Sequence, residues 1–304
     1  MKMNNKSLSK KTSGQYSGYV LSFYNSSLNI VSDLGCNTVK LILNNQSVID
    51  GNEDPKKLEA DYLCKGDFMA PFPNRISDGR YTFQGNIFQL EINEADRGHA
   101  LHGFIMKKKF DLASSEETDE YSKATFVTKI SSDEVKGYPF DIEVKIVFTL
   151  KINELLIEMG GKNTGQVDAP FGIGWHPYFT VNKKIDDCFL QIPATSILET
   201  DSMKELIPTG KHLSNDFGSN SRLIKDVKFD TCFVDLVGQT TIFENIEIFM
   251  EENMKYLQIY TPENRQSIAI EPMSCAPDAF NNQWGLKILN PQKEISYSFG
   301  VRIS

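Results

Sequence analysis

The sequence predicts an all-β fold: one large antiparallel β-sandwich domain with two sheets packed face to face. Apolar and polar side chains alternate through residues 142–150, and the same period of two returns through residues 295–303. This period is typical of a half-buried strand. No segment carries an apolar stripe of helical period over about 12 residues, the length that distinguishes a helix from a strand. We find neither a linker nor an internal repeat, so a single domain is expected.

The first third of the chain adds local signals to this prediction. Residues 1–17 are rich in Ser, Lys, Asn and Gly without periodicity, so we expect a flexible N-terminal tail before a domain over residues 18–304. Short β-prone pieces between residues 19 and 49 predict a meander of strands. Residues 56–63 predict about two helical turns.

Turn and loop signals follow. Residues 68–75 read F-M-A-P-F-P-N-R and hold too much proline for a β-ladder, which predicts a loop. Gln84-Gly85-Asn86 separates two β-prone runs and predicts a hairpin. Shorter alternations predict further strands around residues 155–159, 246–250, 257–259 and 268–270.

Composition excludes several classes of partner. Of the 304 residues, 40% are hydrophobic and 24% are charged, with a formal net charge of −8. An acidic chain does not suit nucleic acid or an anionic membrane, because both attract basic surfaces. We find no membrane-spanning run and no signal peptide, and we therefore expect a cytoplasmic protein that is a monomer or homodimer. The five cysteines are scattered and odd in number, which favours free thiols over a disulfide framework.

Two segments place an ionisable side chain directly before a proline. His176 lies in G-W-H-P-Y-F and Glu271 lies in I-A-I-E-P-M-S. Proline disfavours the α region for the preceding residue, so both are expected in extended backbone at strand ends. Taken singly, each is more often an ordinary strand end. Together, an imidazole and a carboxylate that face one substrate form a proton donor and acceptor, which makes them the candidate catalytic pair.

Further polar residues on separate loops suit a hydroxyl-rich ligand, since they offer directional hydrogen bonds. These residues are Asn74, Arg75, His102 and Asp230. Each has a purely structural alternative, such as a surface ion pair or a turn cap. A flat apolar face for the ligand is expected from Trp175, Phe72 or Phe280.

Metal and nucleotide sites are not indicated. His99 and His102 share one loop, but no cysteine or third ligand of zinc-site spacing accompanies them. No phosphate-binding glycine loop and no G-x-S-x-G nucleophile motif occurs. We therefore predict no metal and no cofactor.

Six motifs, in the same order, resemble the aldose 1-epimerase (mutarotase) family over nearly the whole chain, from about residue 19 to residue 304. They are A-P-F-P-N-R-I-S-D-G-R-Y-T-F-Q-G, N-x5-H-A-L-H-G, G-W-H-P-Y-F, I-P-T-G, F-D-T-C-F and I-A-I-E-P-M-S-C-A-P-D-A-F-N. The resemblance implies a large antiparallel β-sandwich, often called a supersandwich, with the sugar site in an open cleft on one sheet. It also implies an isomerase that needs no cofactor.

The resemblance assigns roles to individual residues. It implies that His176, in the H-P-Y-F motif, is the general acid and that Glu271, in the E-P motif, is the general base. It implies sugar contacts for Arg75, His102 and Asp230. Such a pair would open the hemiacetal of an aldose and close it on the other face, interconverting α and β anomers. We expect the carboxylate of Glu271 to raise the pKa of His176 from its ordinary value of about 6.5.

The substrate stays open at this point. This chain reads L-H-G-F where the best-known galactose mutarotases read L-H-G-G, and P-F-P-N-R-I where those have a glycine before T-N-R-I. A free aldohexose such as glucose or galactose is the first expectation. One alternative is a hexose 6-phosphate, with Arg80 and the run Lys107, Lys108 and Lys109 at the phosphate. Another is a carbohydrate-binding protein without chemistry, and a third is a retaining glycosidase, which needs two carboxylates about 5–5.5 Å apart.

Overall fold

The computed structural model describes residues 6–60, 63–202 and 206–304, and its strands, numbered in chain order, form two large sheets and several smaller ones. The nine-stranded sheet has the order β11 (Asp111–Glu117), β12 (Ser122–Ile130), β13 (Ile142–Leu150), β14 (Glu154–Asn163), β28 (Glu294–Ile303), β24 (Ile246–Met250), β23 (Thr240–Phe243), β18 (Phe189–Gln191) and β21 (Arg222–Leu223). The eight-stranded sheet has the order β20 (Ile207–Ser214), β19 (Ala194–Asp201), β22 (Asp230–Leu236), β25 (Tyr256–Tyr260), β26 (Ile268–Met273), β16 (Gly174–Trp175) and β6 (Phe68–Met69), and β17 (Tyr178–Phe179) also pairs with β26.

The remaining elements are short or peripheral. A five-stranded sheet contains β1 (Lys6–Ser13), β2 (Tyr16–Phe23), β3 (Ser26–Val31), β4 (Asn37–Leu43) and β5 (Gln46–Ser47). Three two-stranded ladders join β7 (Arg75–Ile76) to β10 (Ala100–Leu101), β8 (Arg80–Phe83) to β9 (Asn86–Gln89), and β15 (Ala169–Phe171) to β27 (Lys287–Leu289). The helices of the described residues are α1 (Pro55–Glu59), α2 (Ala279–Asn282) and the 3₁₀ turns Ser77–Gly79 and Ile185–Asp187.

The predicted antiparallel all-β class is confirmed. Every strand ladder of the described residues is antiparallel, and one isolated parallel bridge joins Ala70 to Gly103. The two strongest alternations became β13 and β28, each of which pairs with β14 in unbroken register. Residues of such strands that face the core alternate with residues that face solvent, which is why the pattern was visible in the sequence.

The two large sheets share one apolar core. Trp175 of β16 has no exposed surface, and its ring lies 6.1 Å from that of Phe299 in β28. Phe68 of β6 and Phe148 of β13 make a second contact across the layers, with ring centroids 5.7 Å apart. The core therefore lies between the eight-stranded and nine-stranded sheets.

The expected N-terminal tail is wrong over most of its length. Lys6–Ser13 form β1, which pairs with β2 from Lys6↔Phe23 to Ser13↔Tyr16, so the boundary expected at residue 18 falls inside β2. Backbone hydrogen bonds hold this strand at a sheet edge, where both faces are largely exposed and polar residues are tolerated. Composition alone therefore resembled a tail. Residues 1–5 lie outside the described residues.

Two local predictions also need correction. The helix predicted for residues 56–63 spans only Pro55–Glu59, begins at the N-cap Asp54, and gives way to a turn at Ala60; residues 61–62 lie outside the described residues. The loop predicted for residues 68–75 contains β6 at its start and the first residue of β7 at its end, because its prolines leave both ends free to pair. The hairpin around Gln84 and Gly85 is present as β8 and β9. No described helix is long and apolar enough to cross a membrane.

Candidate active site

The structure brings all six predicted site residues together in one cleft of about 260 Å³. Strands β22, β25 and β26 carry side chains into it from the eight-stranded sheet, and loops from the first third of the chain close its other side. The lining residues are Leu63, Cys64, Asn74, Arg75, Glu94, Arg97, Leu101, His102, His176, Tyr178, Asp230, Gln258, Tyr260 and Glu271. Sequence segments almost 200 residues apart therefore meet at one place.

The two X-Pro segments face each other across a gap in the sheet. β26 pairs with β16 at Met273↔Gly174 and with β17 at Ala269↔Tyr178, so the ladder is interrupted between these points. His176 lies in the interruption. Its backbone N–H instead donates to the carbonyl of Asp67, 2.9 Å away. The interruption turns the imidazole into the cleft instead of continuing the ladder.

The prediction that Glu271 lies at a strand end is wrong. It lies inside β26, which continues through Pro272 to Met273, and it is paired with Gln258 of β25. Proline fits here because its missing N–H falls beside the interruption, where the ladder to β16 and β17 is incomplete. A carboxylate inside a sheet has less freedom than one at a strand end.

His176 and Glu271 form a buried pair. Nε2 of His176 lies 3.4 Å from Oε1 of Glu271, and the side chains are 9% and 2% exposed. Nδ1 of His176 and Oε2 of Glu271 are shielded from water and have no hydrogen-bond partner among the described residues. Buried polar atoms are normally paired, so two such atoms in a cleft indicate a place where a polar ligand binds.

Burial sets the protonation of this pair. It lowers the pKa of His176 to about 4. It raises the pKa of Glu271 well above its ordinary value, with a smaller contribution from Asp230 in the same direction and an opposing one from Arg75. Our expectation that Glu271 raises the pKa of His176 was therefore wrong, because desolvation of both groups outweighs their mutual attraction. Burial thus disfavours the charged form of both groups: at neutral pH the imidazole is neutral in the empty cleft, and the pKa of the carboxyl is shifted toward the protonated form.

Asn74 and His102 hold each other in place across two loops. The N–H of Asn74 donates to Nδ1 of His102 at 3.2 Å, and the N–H of His102 donates to the carbonyl of Asn74 at 2.8 Å. Burial lowers the pKa of His102 well below its ordinary value, with smaller contributions from His176 and Arg75. His102 is thus neutral, and because Nδ1 accepts, its proton is on Nε2. Nε2 is then available as a donor.

Arg75 is bound to a residue that the sequence did not single out, Glu94. Nε and Nη2 of Arg75 donate to the two carboxylate oxygens of Glu94 at 2.7 and 2.8 Å. Arg97 donates to the same carboxylate at 2.8 Å. Burial opposes the charge of Glu94, but the hydrogen bonds and charges of the two arginines outweigh it and lower its pKa. One carboxylate therefore holds two guanidinium groups.

Asp230 lies at the start of β22 and accepts a hydrogen bond from Nε2 of Gln258 at 3.0 Å. Burial raises its pKa, against the opposing charges of Arg75 and Arg97. Gln258 is the second site residue that the sequence did not reveal. Nothing in its local sequence distinguishes it, and only the pairing of β22 with β25 brings it beside Asp230.

The apolar face of the cleft differs from the prediction. Trp175, Phe72 and Phe280 belong to the core and are at most 3% exposed. Tyr178 and Tyr260 line the cleft in their place, and the ring of Tyr178 stacks on His176 with centroids 5.3 Å apart. The motif neighbour of His176 that reaches the cleft is therefore the tyrosine two positions later.

The lysine run lies outside the cleft. Lys107, Lys108 and Lys109 are absent from its lining, and two of them pair elsewhere, Lys108 with Glu134 and Lys109 with Asp111. His99, the other residue of the metal hypothesis, accepts a hydrogen bond from the N–H of Asp78 through Nδ1. Within the described part of the chain no group of three or more His, Cys, Asp or Glu side chains is placed to hold a metal ion.

Known proteins resemble this chain in sequence and in fold. A family model described as aldose 1-epimerase matches residues 19–302. The uncharacterized protein YihR of Escherichia coli (strain K12) is 30% identical over 248 residues, 78% of each chain. A galactose mutarotase of Bos taurus is 29% identical over 150 residues, which are 48% of this chain and 41% of the bovine one.

Solved structures share the fold at low identity. A galactose mutarotase-like protein from Clostridium acetobutylicum superposes with a TM-score of 0.88 at 19% identity, covering 99% of both chains. A galactose 1-epimerase from Lactobacillus acidophilus NCFM superposes with a TM-score of 0.81 at 15% identity, covering 98% of both chains. The likeness extends over the whole sandwich.

Proposed function

The chain belongs to the aldose 1-epimerase family, and from this premise we propose that it interconverts the α and β anomers of a free aldohexose such as glucose or galactose. The observation that carries the proposal is the buried His176–Glu271 pair, whose Nδ1 and Oε2 have no partner among the described residues and lie at a cleft of about 260 Å³. Opening a hemiacetal needs one proton delivered to the ring oxygen and one removed from the C1 hydroxyl. A pair that holds a single proton supplies both an acid and a base.

The bound sugar would set the direction of proton transfer. In the empty cleft burial favours the protonated form of Glu271, whereas the family roles place the proton on His176. A sugar hydroxyl that donates to Oε2 stabilises the carboxylate and lowers the pKa of Glu271. Binding therefore moves the proton toward His176, which then protonates the ring oxygen while Glu271 accepts the proton of the C1 hydroxyl. Closure on the other face reverses both steps.

The surrounding side chains would hold the sugar. His102 donates through Nε2, and Asp230 offers acceptor oxygens. The side-chain oxygen of Asn74 accepts from the backbone N–H of Arg75 at 2.9 Å and from its Nη1 at 3.4 Å, and thereby orients the guanidinium group. Directional hydrogen bonds of this kind fix C1 and the ring oxygen against the pair. No step in this sequence uses a cofactor.

The charge balance of the cleft favours a neutral sugar over a hexose 6-phosphate. Glu94 already engages both Arg75 and Arg97, and the lysine run lies elsewhere. A phosphate would have to compete with a buried carboxylate for these arginines, which costs the desolvation of that carboxylate. A cytoplasmic location and a monomeric or homodimeric state stay predictions.

Polarimetry of freshly dissolved α-glucose, α-galactose and glucose 6-phosphate tests the proposal. We expect the protein to accelerate anomer exchange of at least one neutral sugar far above the rate in buffer, and well above its effect on the phosphate. Strong preference for glucose 6-phosphate would instead identify a hexose 6-phosphate epimerase. Sugar binding without acceleration would identify a carbohydrate-binding protein.

A further inference from the structure

A second cleft, of about 490 Å³, lies on the same sheet as the candidate active site. β22 carries Asp230 into the active-site cleft and Val234 into the second one, and β25 does the same with Gln258 and Tyr256. Residues an even number of positions apart on a strand point to the same face. Both clefts therefore open on one face of the eight-stranded sheet.

A small apolar cluster separates the two clefts. Cys232, Met273 and Ala276 are buried there, and Tyr256 and Trp284 pack against them. The segment that contains Ala276 and Trp284 also reaches the active-site loops, where the N–H of Asp278 donates to the carbonyl of Arg75 at 2.7 Å. The second cleft is thus a distinct space, and a ligand in it would not touch the His176–Glu271 pair.

Two partly buried aromatic rings, Tyr256 and Trp284, line the second cleft. Local backbone contacts fix their positions. Gly285 has a φ of +75°, and a Cβ there would lie 2.7 Å from the ring of Tyr256, so only glycine allows this approach. The backbone N–H of Trp284 donates to Oδ1 of Asn282 at 2.9 Å. Fixed aromatic faces pack well against the C–H faces of a pyranose ring.

The polar lining of the second cleft supplies both hydrogen-bond donors and acceptors. Nδ1 of His212 lies 2.8 Å from Oδ2 of Asp235, which leaves the other ring nitrogen of His212 for a ligand. Oε1 of Gln239 is shielded and has no hydrogen-bond partner among the described residues. The charged groups are two carboxylates, Asp235 and Glu252, and one lysine, Lys255. This set does not favour an anion and suits hydroxyl groups, which both donate and accept.

From these observations we propose that the second cleft binds a neutral pyranoside, held between the aromatic rings of Tyr256 and Trp284 and the polar groups of His212 and Gln239. Its volume lies within the range of about 300–1,000 Å³ typical of ligand pockets. It is also nearly twice the volume of the active-site cleft, which leaves room for a glycoside of more than one ring. The proposal is independent of the reaction assigned to the first cleft.

Tryptophan fluorescence tests this site, because the chain has two tryptophans and Trp175 is fully buried in the core. Methyl α-D-glucopyranoside, methyl β-D-galactopyranoside and maltose serve as neutral probes, and methyl glucuronoside serves as an anionic one. We expect a saturable change with at least one neutral probe in the millimolar range, and a weaker response to the anionic probe. Tighter binding of methyl glucuronoside, or no saturable change with any neutral probe, would overturn the proposal.

Variants assign the response to one of the two clefts. Asp230→Asn alters only the active-site cleft and should leave the fluorescence titration unchanged. Gln239→Leu keeps the reporter and the size of the side chain but removes a hydrogen bond, and should weaken binding by about 2–10-fold. If Asp230→Asn abolishes the response, or Gln239→Leu leaves it at wild-type affinity, the ligand binds elsewhere and the proposal is wrong.

Discussion

Nε2 of His176 lies 3.4 Å from Oε1 of Glu271, with both side chains almost fully buried in the cleft. This separation is longer than an ordinary N–H···O hydrogen bond. Burial disfavours the charged form of both groups, because it lowers the pKa of His176 to about 4 and raises the pKa of Glu271. A bound sugar hydroxyl that stabilises the carboxylate therefore shifts the proton toward His176, the acid of the proposed reaction.

The pH dependence of kcat/KM follows from this protonation. The profile of kcat/KM reports groups of the free enzyme, and the active form holds one proton between the two residues. A second proton binds as pH falls through about 4, the pKa of His176, so activity should be lost there and not at higher pH on the acid side. Activity should also fall where Glu271 loses its proton, well above the ordinary value. An acid-side loss of activity near pH 6.5, the ordinary histidine value, instead of near 4 would contradict this assignment.

Stability should respond to pH through Glu271 with a definite sign. A carboxyl whose pKa is raised by folding binds more protons in the native state, so its contribution to stability declines as pH rises above the unfolded value of about 4.3. Glutamine imitates the protonated carboxyl and does not titrate. As pH increases, the free energy of unfolding of Glu271→Gln should therefore rise relative to that of wild type. Denaturant titrations at several pH values measure this difference, and parallel curves would refute the raised pKa.

Glu94 should orient the guanidinium group of Arg75 for its contact with the sugar. Glu94→Gln keeps the shape of the side chain but removes the charge that orients Arg75. We expect kcat/KM for a neutral aldose to fall by roughly 10-fold, since a charge-assisted hydrogen bond is worth about 1.5–3 kcal/mol. The ratio of kcat/KM for glucose 6-phosphate to that for glucose should rise, because both arginines are released.

Glu91→Gln is the matched control for that experiment. Glu91 is exposed and lies three residues earlier in the chain, outside the cleft lining. Its substitution should leave both kcat/KM values near wild type. Equal effects of the two substitutions, or an unchanged substrate ratio in Glu94→Gln, would show that Glu94 does not govern charge selectivity.

The lysine run should be dispensable for a neutral sugar. Replacing Lys107, Lys108 and Lys109 together by serine should change kcat/KM for glucose or galactose by less than about threefold, under about 1 kcal/mol of transition-state stabilisation. The reason is geometric, because none of the three lines the cleft. Loss of most activity, restored at low salt, would indicate that these lysines attract the substrate.

The sequence predicted the fold well where one face of a strand is buried. From Ile142 to Ile146 buried positions of β13 alternate with more exposed ones, and the remaining residues to Leu150 are buried on both faces. β1 gave no such signal, since it lies at a sheet edge with most of its residues exposed. Hydrophobic periodicity reports burial, and a polar edge strand held by backbone hydrogen bonds is invisible to it.

The site was predicted to the level of its motif residues but not of their partners. His176 and Glu271 stood out because proline follows each of them. Glu94 and Gln258 have no local signature, and only long-range pairing of loops and strands reveals them. The pKa of His176 was predicted with the wrong sign because a sequence shows which charges are present but not how deeply they are buried.

The central claim is that His176 and Glu271 move protons, and the anomer exchange rate of their variants tests it most directly. His176→Asn and Glu271→Gln should each keep the wild-type circular dichroism spectrum and lose roughly 10²–10⁴-fold in exchange rate, the usual contribution of a general acid or base. The exposed Glu263→Gln serves as the control and should exchange at the wild-type rate. Polarimetry of freshly dissolved α-galactose and α-glucose measures all four proteins under one condition. If a well-folded His176→Asn or Glu271→Gln protein exchanged anomers as fast as wild type, that residue would not take part in the proton transfer.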